Sequence, residues 1–188
     1  MIKTQVLVMG SGPGGYTAAF RAADLGKEVT LVERYDSLGG VCLNVGCIPS
    51  KSLLHTAEVI NESKHASELG VTFSKPKIDL EGVKKNTNSI VNKLTGGIQA
   101  LAKARKVKVI NDYAKFLSKN QVVLQSTDEV IEFDQCIISV GSRVTKFPMF
   151  PFEDDRVMDS TDALLLDDIP KRMLVVGGGI IGLEMATI

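Results

Sequence analysis

The chain has 188 residues, with 22 Lys and Arg against 22 Asp and Glu, so its formal net charge is zero and a nucleic-acid or polybasic membrane surface is disfavoured. Apolar residues make up 44% and charged residues 23%, which supplies a buried core and excludes a disordered tail; the length holds one domain, or one and the start of another. Three cysteines are too few for a disulfide scaffold, and the longest apolar stretch, Met173 to Ile188, is too short to span a bilayer, so a soluble cytoplasmic protein without an export signal is expected.

In chain order, Gln5 to Met9 is a short strand-like run that ends in Gly10-Ser11-Gly12-Pro13-Gly14-Gly15. Tyr16 to Leu25 is rich in Ala with helical apolar spacing, and Gly26 stops it. Glu28 to Glu33 predicts a second buried strand. This βαβ opening implies an α/β fold with a parallel sheet. Asp79 to Lys106 predicts a long amphipathic helix whose buried stripe is Leu80, Val83, Ile90, Val91, Leu94, Ile98 and Leu101.

From Val107 the texture changes to an antiparallel β-meander: Val107–Ile110, Tyr113–Leu117, Val122–Gln125, Val130–Phe133 and Cys136–Val140. Ser118-Lys119-Asn120 and Ser126-Thr127-Asp128 supply turns. Ser142 to Pro170 reads as a connection rather than an element. Met173 to Glu184 then repeats the opening pattern, with an apolar strand, Gly177-Gly178-Gly179-Ile180-Ile181-Gly182 and a helix start. Three segments are expected: 1–145 as a dinucleotide-binding domain, 146–170 as a connection, and 171–188 as the first strand and helix of a second such domain. Met173 to Val176 is expected to find a strand partner on its own chain or on a second copy, because exposing it costs burial energy.

Gly10-x-Gly12-x-x-Gly15 is weak evidence alone, but here it follows a predicted strand, opens a helix, and precedes Glu33 at the end of the next strand. Gly10 permits the tight turn, Gly12 lets a pyrophosphate approach the backbone, and Gly15 lets helix and strand pack closely. The helix N-terminus offers unpaired N–H groups to phosphate. Glu33 can accept hydrogen bonds from both ribose hydroxyls and would repel a 2′-phosphate. The competing reading is a glycine-rich turn beside a solvated Glu. The motif does not separate FAD from NAD.

Cys42 and Cys47 are five residues apart. In an unbroken helix their Cα atoms would stand ~8.6 Å apart, beyond the ~7 Å a disulfide tolerates. A bridge therefore needs a distorted backbone between them, and Asn44 and Gly46 tolerate one. Pro49 suits a first helical turn, which would set Cys47 near a helix N-terminus; the dipole there and the Lys51 ammonium favour a thiolate. Cysteines are also common as small buried apolar residues, the reading adopted for Cys136. A zinc site from Cys42, Cys47 and His55 lacks a second closely spaced pair, and no metal is expected.

The run Leu38-Gly39-Gly40-Val41-Cys42-Leu43-Asn44-Val45-Gly46-Cys47-Ile48-Pro49-Ser50-Lys51 resembles the redox motif of the pyridine nucleotide–disulfide oxidoreductases. The form matches members that reoxidise dihydrolipoyl groups; glutathione and mercuric reductases typically carry Val where Leu43 and Ile48 stand. The resemblance covers the whole chain and implies a Rossmann-like FAD domain followed by the start of an NAD domain. It implies a Cys42–Cys47 disulfide, with Cys42 exchanging with substrate and Cys47 against the flavin. Lys51 would lie near the flavin and pair with Glu184. Gly10, Gly12, Gly14, Gly15, Glu33, Arg34, Gly40, Val41, Ala114, Gly141 and Ser142 would hold FAD, while Gly177, Gly179 and Gly182 would hold NAD as co-substrate. Lipoyl domains of 2-oxo acid dehydrogenase complexes and a second subunit would be the partners.

The chain departs from the family pattern at Ser139-Val140-Gly141-Ser142, where Ala-Thr-Gly-Ser is usual, and at Asp112-Tyr113-Ala114-Lys115, where Gly-x-Gly-Lys is usual. Full members are more than twice as long, so the resemblance implies an N-terminal portion that would be inactive by itself. A nucleotide-binding module without turnover is the alternative from another class. His55 and His65 do not match the family's catalytic histidine and read as surface or structural residues.

Overall fold

The computed structural model describes residues Met1–Ile188. Its strands are β1 (Ile2–Met9), β2 (Val29–Glu33), β3 (Lys108–Asn111), β4 (Ala114–Ser118), β5 (Gln121–Leu124) and β6 (Val130–Ile138). Its helices are α1 (Pro13–Asp24), α2 (Gly40–Val45), α3 (Cys47–His65), α4 (Leu80–Ala104), α5 (Ser160–Leu165) and α6 (Ile180–Thr187). The chain forms two compact units, each drawn from two stretches: Met1–Asn44 with Lys93–Ser142, and Val45–Asn92 with Arg143–Ile188.

The first unit is built on a six-stranded sheet in the order β3-β2-β1-β6-β5-β4. The expected α/β class holds, but the expected antiparallel meander is confined to β4, β5 and β6, because Lys108–Asn111 pairs parallel with β2. β3, β2, β1 and β6 run parallel, and the hairpin β4–β5 continues the sheet antiparallel beyond β6. A parallel strand covered on both faces carries apolar residues on both, which is why β1 reads as a continuous apolar run. Val6 and Val8 pack with Ala19, Phe20, Leu31 and Ala102 on one face. Leu7 and Met9 pack with Val122, Leu124, Ile131 and Phe133 on the other. The expected strands Val130–Phe133 and Cys136–Val140 are one strand. β6 stays in register with β1 from Ile2↔Ile131 to Met9↔Ile138, and that long ladder carries it through the polar pair Asp134-Gln135.

α4 forms where the periodicity places it, and only part of the expected stripe is covered: Leu80, Val83, Val91 and Ile98 are half-buried, Ile98 against the core. Ile90, Leu94 and Leu101 are exposed, while Thr87, Thr95 and Ala102 are buried. Small residues at these spacings let the helix approach its neighbours closely. The Thr87 hydroxyl is hydrogen-bonded to that of Ser52 at 2.9 Å, which offsets its desolvation.

The second unit is helical, and two expectations fail there. The supposed connection contains α5, held by a reciprocal capping box in which the Asp159 side chain accepts from the backbone of Thr161 and Asp162 while Asp162 accepts from the Asp159 N–H. Met173–Val176 is not a strand and has no ladder partner; Leu174 is 88% exposed. Its unit contains no strand to pair with, and strand structure requires that neighbour. The expectation that this segment docks as a strand on its own chain is overturned.

Candidate functional site

In the first unit, β1 delivers the chain into the turn Gly10–Gly15, and α1 begins at Pro13. Gly10 has φ +93°, and a Cβ there would stand 2.3 Å from the Ser139 carbonyl oxygen. A Cβ on Gly15 would stand 1.8 Å from the Gly10 carbonyl oxygen. These two glycines are demanded by protein packing. Gly12 is different: a Cβ there would meet only the Gly40 Cα, at 3.9 Å. The space over Gly12 is open, and no side chain caps α1. Its first N–H groups are thus available to a phosphate, as the dinucleotide reading requires.

The second loop of the site joins the first through backbone. Gly39 N–H donates to the Ser11 carbonyl at 3.0 Å. Gly40, with φ +61°, opens α2 so close to the turn that a Cβ would lie 2.6 Å from the Gly12 Cα. The Asn44 side-chain amide donates to the carbonyls of Gly40 at 2.8 Å and Leu38 at 3.2 Å, tying the loop down. Gly10, Gly12, Gly14, Gly15 and Gly40 are therefore brought together. Val41 is exposed on α2.

Glu33 ends β2 and is 6% exposed. Its Oε2 accepts from Ser11 N–H at 2.8 Å and from Ser11 Oγ at 2.6 Å; its Oε1 accepts from Tyr35 N–H at 3.0 Å. Glu33, Tyr35, Asn111, Gln99 and Lys103 border a cavity of about 370 Å³ floored by Ala102 and Val107. Arg34 is exposed, its guanidinium stacked 4.6 Å from the Tyr35 ring centre. Ser139 N–H donates to the Met9 carbonyl at 2.8 Å, which brings the start of the Ser139–Ser142 segment against the glycine turn; Gly141 and Ser142 are exposed beyond it. Ala114 opens β4 and packs against the Leu7–Phe133 cluster.

Cys42 is half-buried on α2, and Cys47 is exposed as the first residue of α3. The helix breaks at Gly46, and Pro49 lies buried in the first turn of α3, as its sequence position predicts. Cys136 is half-buried on β6, where burial pushes its thiol up from the ordinary value of 9.0. His55 and His65 sit on the exposed side of α3 beside Glu58 and Glu68.

The second unit holds a copy of the first turn. Gly177 has φ +107° against +93° at Gly10, and Gly179 caps α6 at φ −73°, ψ 169° as Gly12 caps α1 at φ −67°, ψ −178°. A Cβ on Gly182 would stand 2.6 Å from the Gly177 carbonyl oxygen, the same crowding seen between Gly15 and Gly10. Two residues later, Glu184 Oε2 accepts from Ser50 Oγ at 2.5 Å. The expected Lys51–Glu184 ion pair is not formed. Successive residues of a helix point ~100° apart; Ser50 is buried while Lys51 faces outward. Ser50 and Ser11 are the residues that sequence reasoning missed, since a hydroxyl in a small-residue run carries no periodic signal.

The family model described as pyridine nucleotide-disulphide oxidoreductase matches residues 4–188. The chain belongs to that family. Within it, the chain is 55% identical over 190 residues to a dihydrolipoyl dehydrogenase of Haemophilus influenzae, covering all of this chain and 40% of that protein. A dihydrolipoyl dehydrogenase of Staphylococcus aureus is 46% identical over 99% of this chain and 40% of its own length. This pyridine nucleotide-disulphide oxidoreductase chain thus spans about 40% of the curated relatives it matches. Among solved structures, the HOCl-induced flavoprotein disulfide reductase RclA from Escherichia coli superposes with a TM-score of 0.82 at 27% identity, over 97% of this chain and 38% of that one. No helix of the chain is long and apolar enough to cross a membrane.

Proposed function

We propose that the chain supplies the FAD-binding and dithiol part of a dihydrolipoyl dehydrogenase. The observation that carries this reading is the glycine turn made twice, at Gly10–Gly15 and again at Gly177–Gly182, in a chain that also has a helix beginning at a cysteine. Likeness to dihydrolipoyl dehydrogenases along the entire chain supports the substrate.

The first turn has the features an FAD pyrophosphate needs: open space over Gly12 and an uncapped helix end. Glu33 would orient the adenosine ribose, with Gly40, Val41, Ala114, Gly141 and Ser142 lining the remainder. The second turn would receive NAD⁺. Bound FAD supplies the two-electron acceptor that stands between a dithiol and the nicotinamide.

In the dithiol step, a dihydrolipoyl thiolate attacks Cys42 Sγ of a Cys42–Cys47 disulfide and expels Cys47 as thiolate. The second substrate thiol, on losing its proton, attacks its own sulfur in that mixed disulfide, forming the lipoyl disulfide and releasing the Cys42 thiolate. Two electrons enter the cysteine pair and two protons leave the substrate. Cys47, exposed as the first residue of α3, is open to the exchange. Lipoyl domains of 2-oxo acid dehydrogenase complexes, a second subunit and a cytoplasmic setting complete the reading.

Anaerobic titration of the full-length protein with dihydrolipoamide tests it. The flavin band should bleach, and Cys42→Ser should abolish the bleaching. An unbleached band in a flavin-loaded protein would refute the substrate.

A further inference from the structure

The ribose assignment makes a demand on Glu33 that its hydrogen bonds limit. A carboxylate offers about four lone-pair positions. Three are filled from within: both positions on Oε2 by Ser11 N–H and Ser11 Oγ, and one on Oε1 by Tyr35 N–H. Glu33 is 6% exposed and Ser11 fully buried, so the arrangement is shielded from exchange with water. One acceptor position remains, on Oε1.

Two of the three donors are backbone groups in ordered turns and cannot be moved without moving the chain. The third, the Ser11 hydroxyl, can rotate. It is therefore the group whose presence decides how many acceptor positions a ligand meets. A bare turn residue at position 11 would leave Oε2 with one free position and Oε1 with another, enough for both hydroxyls of a vicinal diol. With serine there, the carboxylate is clamped and presents a single oxygen.

We propose that Ser11 is a positioning residue for ribose recognition: its hydroxyl clamps Glu33 Oε2, so that the adenosine ribose is read through one hydroxyl at Oε1 rather than through both. The proposal rests on the FAD reading of the first turn and narrows it. It differs from the expectation that Glu33 accepts from both ribose hydroxyls.

The test uses nucleotide-free full-length protein and three ligands: FAD and its analogues lacking either the 2′- or the 3′-hydroxyl of the adenosine ribose. Affinity is read by flavin fluorescence, so turnover is not needed. One deoxy analogue should bind about tenfold more weakly than FAD, the worth of one charge-assisted hydrogen bond, and the other within about threefold. In Ser11→Ala the two analogues should become equivalent within about threefold, while a destabilised turn alone would weaken all three ligands in parallel and keep their ratio. If Ser11→Ala does not fold, Ser11→Cys, of similar volume and poor donor strength, is read by the same ratio. Equal losses for both analogues in the unmodified protein, or an unchanged ratio in the variant, would overturn the role of Ser11. Glu33→Gln separates that failure from failure of the ribose reading: if it leaves FAD and both analogues bound as before, Glu33 does not touch the ribose and both ideas fall.

Discussion

The Ser50 hydroxyl donates to Glu184 across 134 residues of sequence, joining the buried side of α3 to the first turns of α6. A hydrogen bond to a charged acceptor is worth about 1.5–3 kcal/mol. α6 has no side-chain cap of its own, and this contact ties it to α3. Ser50→Ala should accelerate hydrogen exchange at the Leu183 and Ile188 amides, whose bonds to Gly179 and Glu184 close the helix. Lys51→Ala should leave them protected. Lost protection in Lys51→Ala with protection kept in Ser50→Ala would mean that the lysine, not the hydroxyl, holds α6.

Gly12 and Gly15 separate folding from ligand binding. Gly15→Ala drives a Cβ into the Gly10 carbonyl, and overpacking of this kind costs about 1–3 kcal/mol or more. Gly12→Ala adds a methyl where the protein leaves room, so the nucleotide-free melting temperature should hardly move. On the proposed FAD reading, affinity should nevertheless fall more than tenfold, because the methyl would take the space that the pyrophosphate needs. Thermal melts with and without FAD distinguish the two variants.

Asp112 provides a pH signature. Ser126 Oγ donates to it at 2.5 Å, and the N–H groups of Tyr113 and Ser126 donate as well. The Ser126 hydroxyl chiefly holds its carboxyl below the ordinary value of 3.8, against an opposing contribution from burial. A depressed folded value means that the stabilisation is complete above pH 3.8 and lost as pH falls through the lower folded value. Asp112→Asn should therefore lower the melting temperature at neutral pH, and the difference should shrink towards pH 3. A constant difference would assign the loss to packing instead.

Cysteine reactivity should follow helix position and burial. In the reduced protein, Cys47 is exposed at a helix N-terminus and should be alkylated first, and Cys136 last. Raising the pH should narrow the gap, because burial holds the Cys136 thiol above its ordinary value. Mass spectrometry of a timed iodoacetamide reaction reads the order, and early modification of Cys136 would contradict it.

How far the fold was legible depended on whether a signal was local. β1, the glycine turn, α1 and β2 were readable because an apolar run, a turn and a helix stop lie within thirty-three residues. The N-terminus of α3 was readable from Pro49. The buried face of α4 was not: hydropathy favours Ile90 and Leu94, while close approach favours Thr87, Thr95 and Ala102. α5 was hidden in a stretch taken as connection, although Asp159 and Asp162 stand at capping-box spacing. Met173–Val176 has every local mark of a strand and forms none, because a strand exists only with a neighbour. Ser11 and Ser50 act through partners 22 and 134 positions away, which no window along the chain detects.

The register that seats Ile2 beside Ile131 and Met9 beside Ile138 also sets an order of events for a chain still being made. β1 leaves the ribosome first, and its central partner arrives about 130 residues later. At about 5–20 residues per second that is a wait on the order of ten seconds. During it Leu7 and Met9, buried in the finished sheet, lie on a strand with one open edge. Pairing β1 with β2 can proceed early, whereas closing the β1–β6 ladder carries the entropy of a very long loop and belongs late. Substitutions that slow β6, such as a proline at Cys136, should first show themselves as nascent-chain aggregation and chaperone dependence, before any change in the finished molecule.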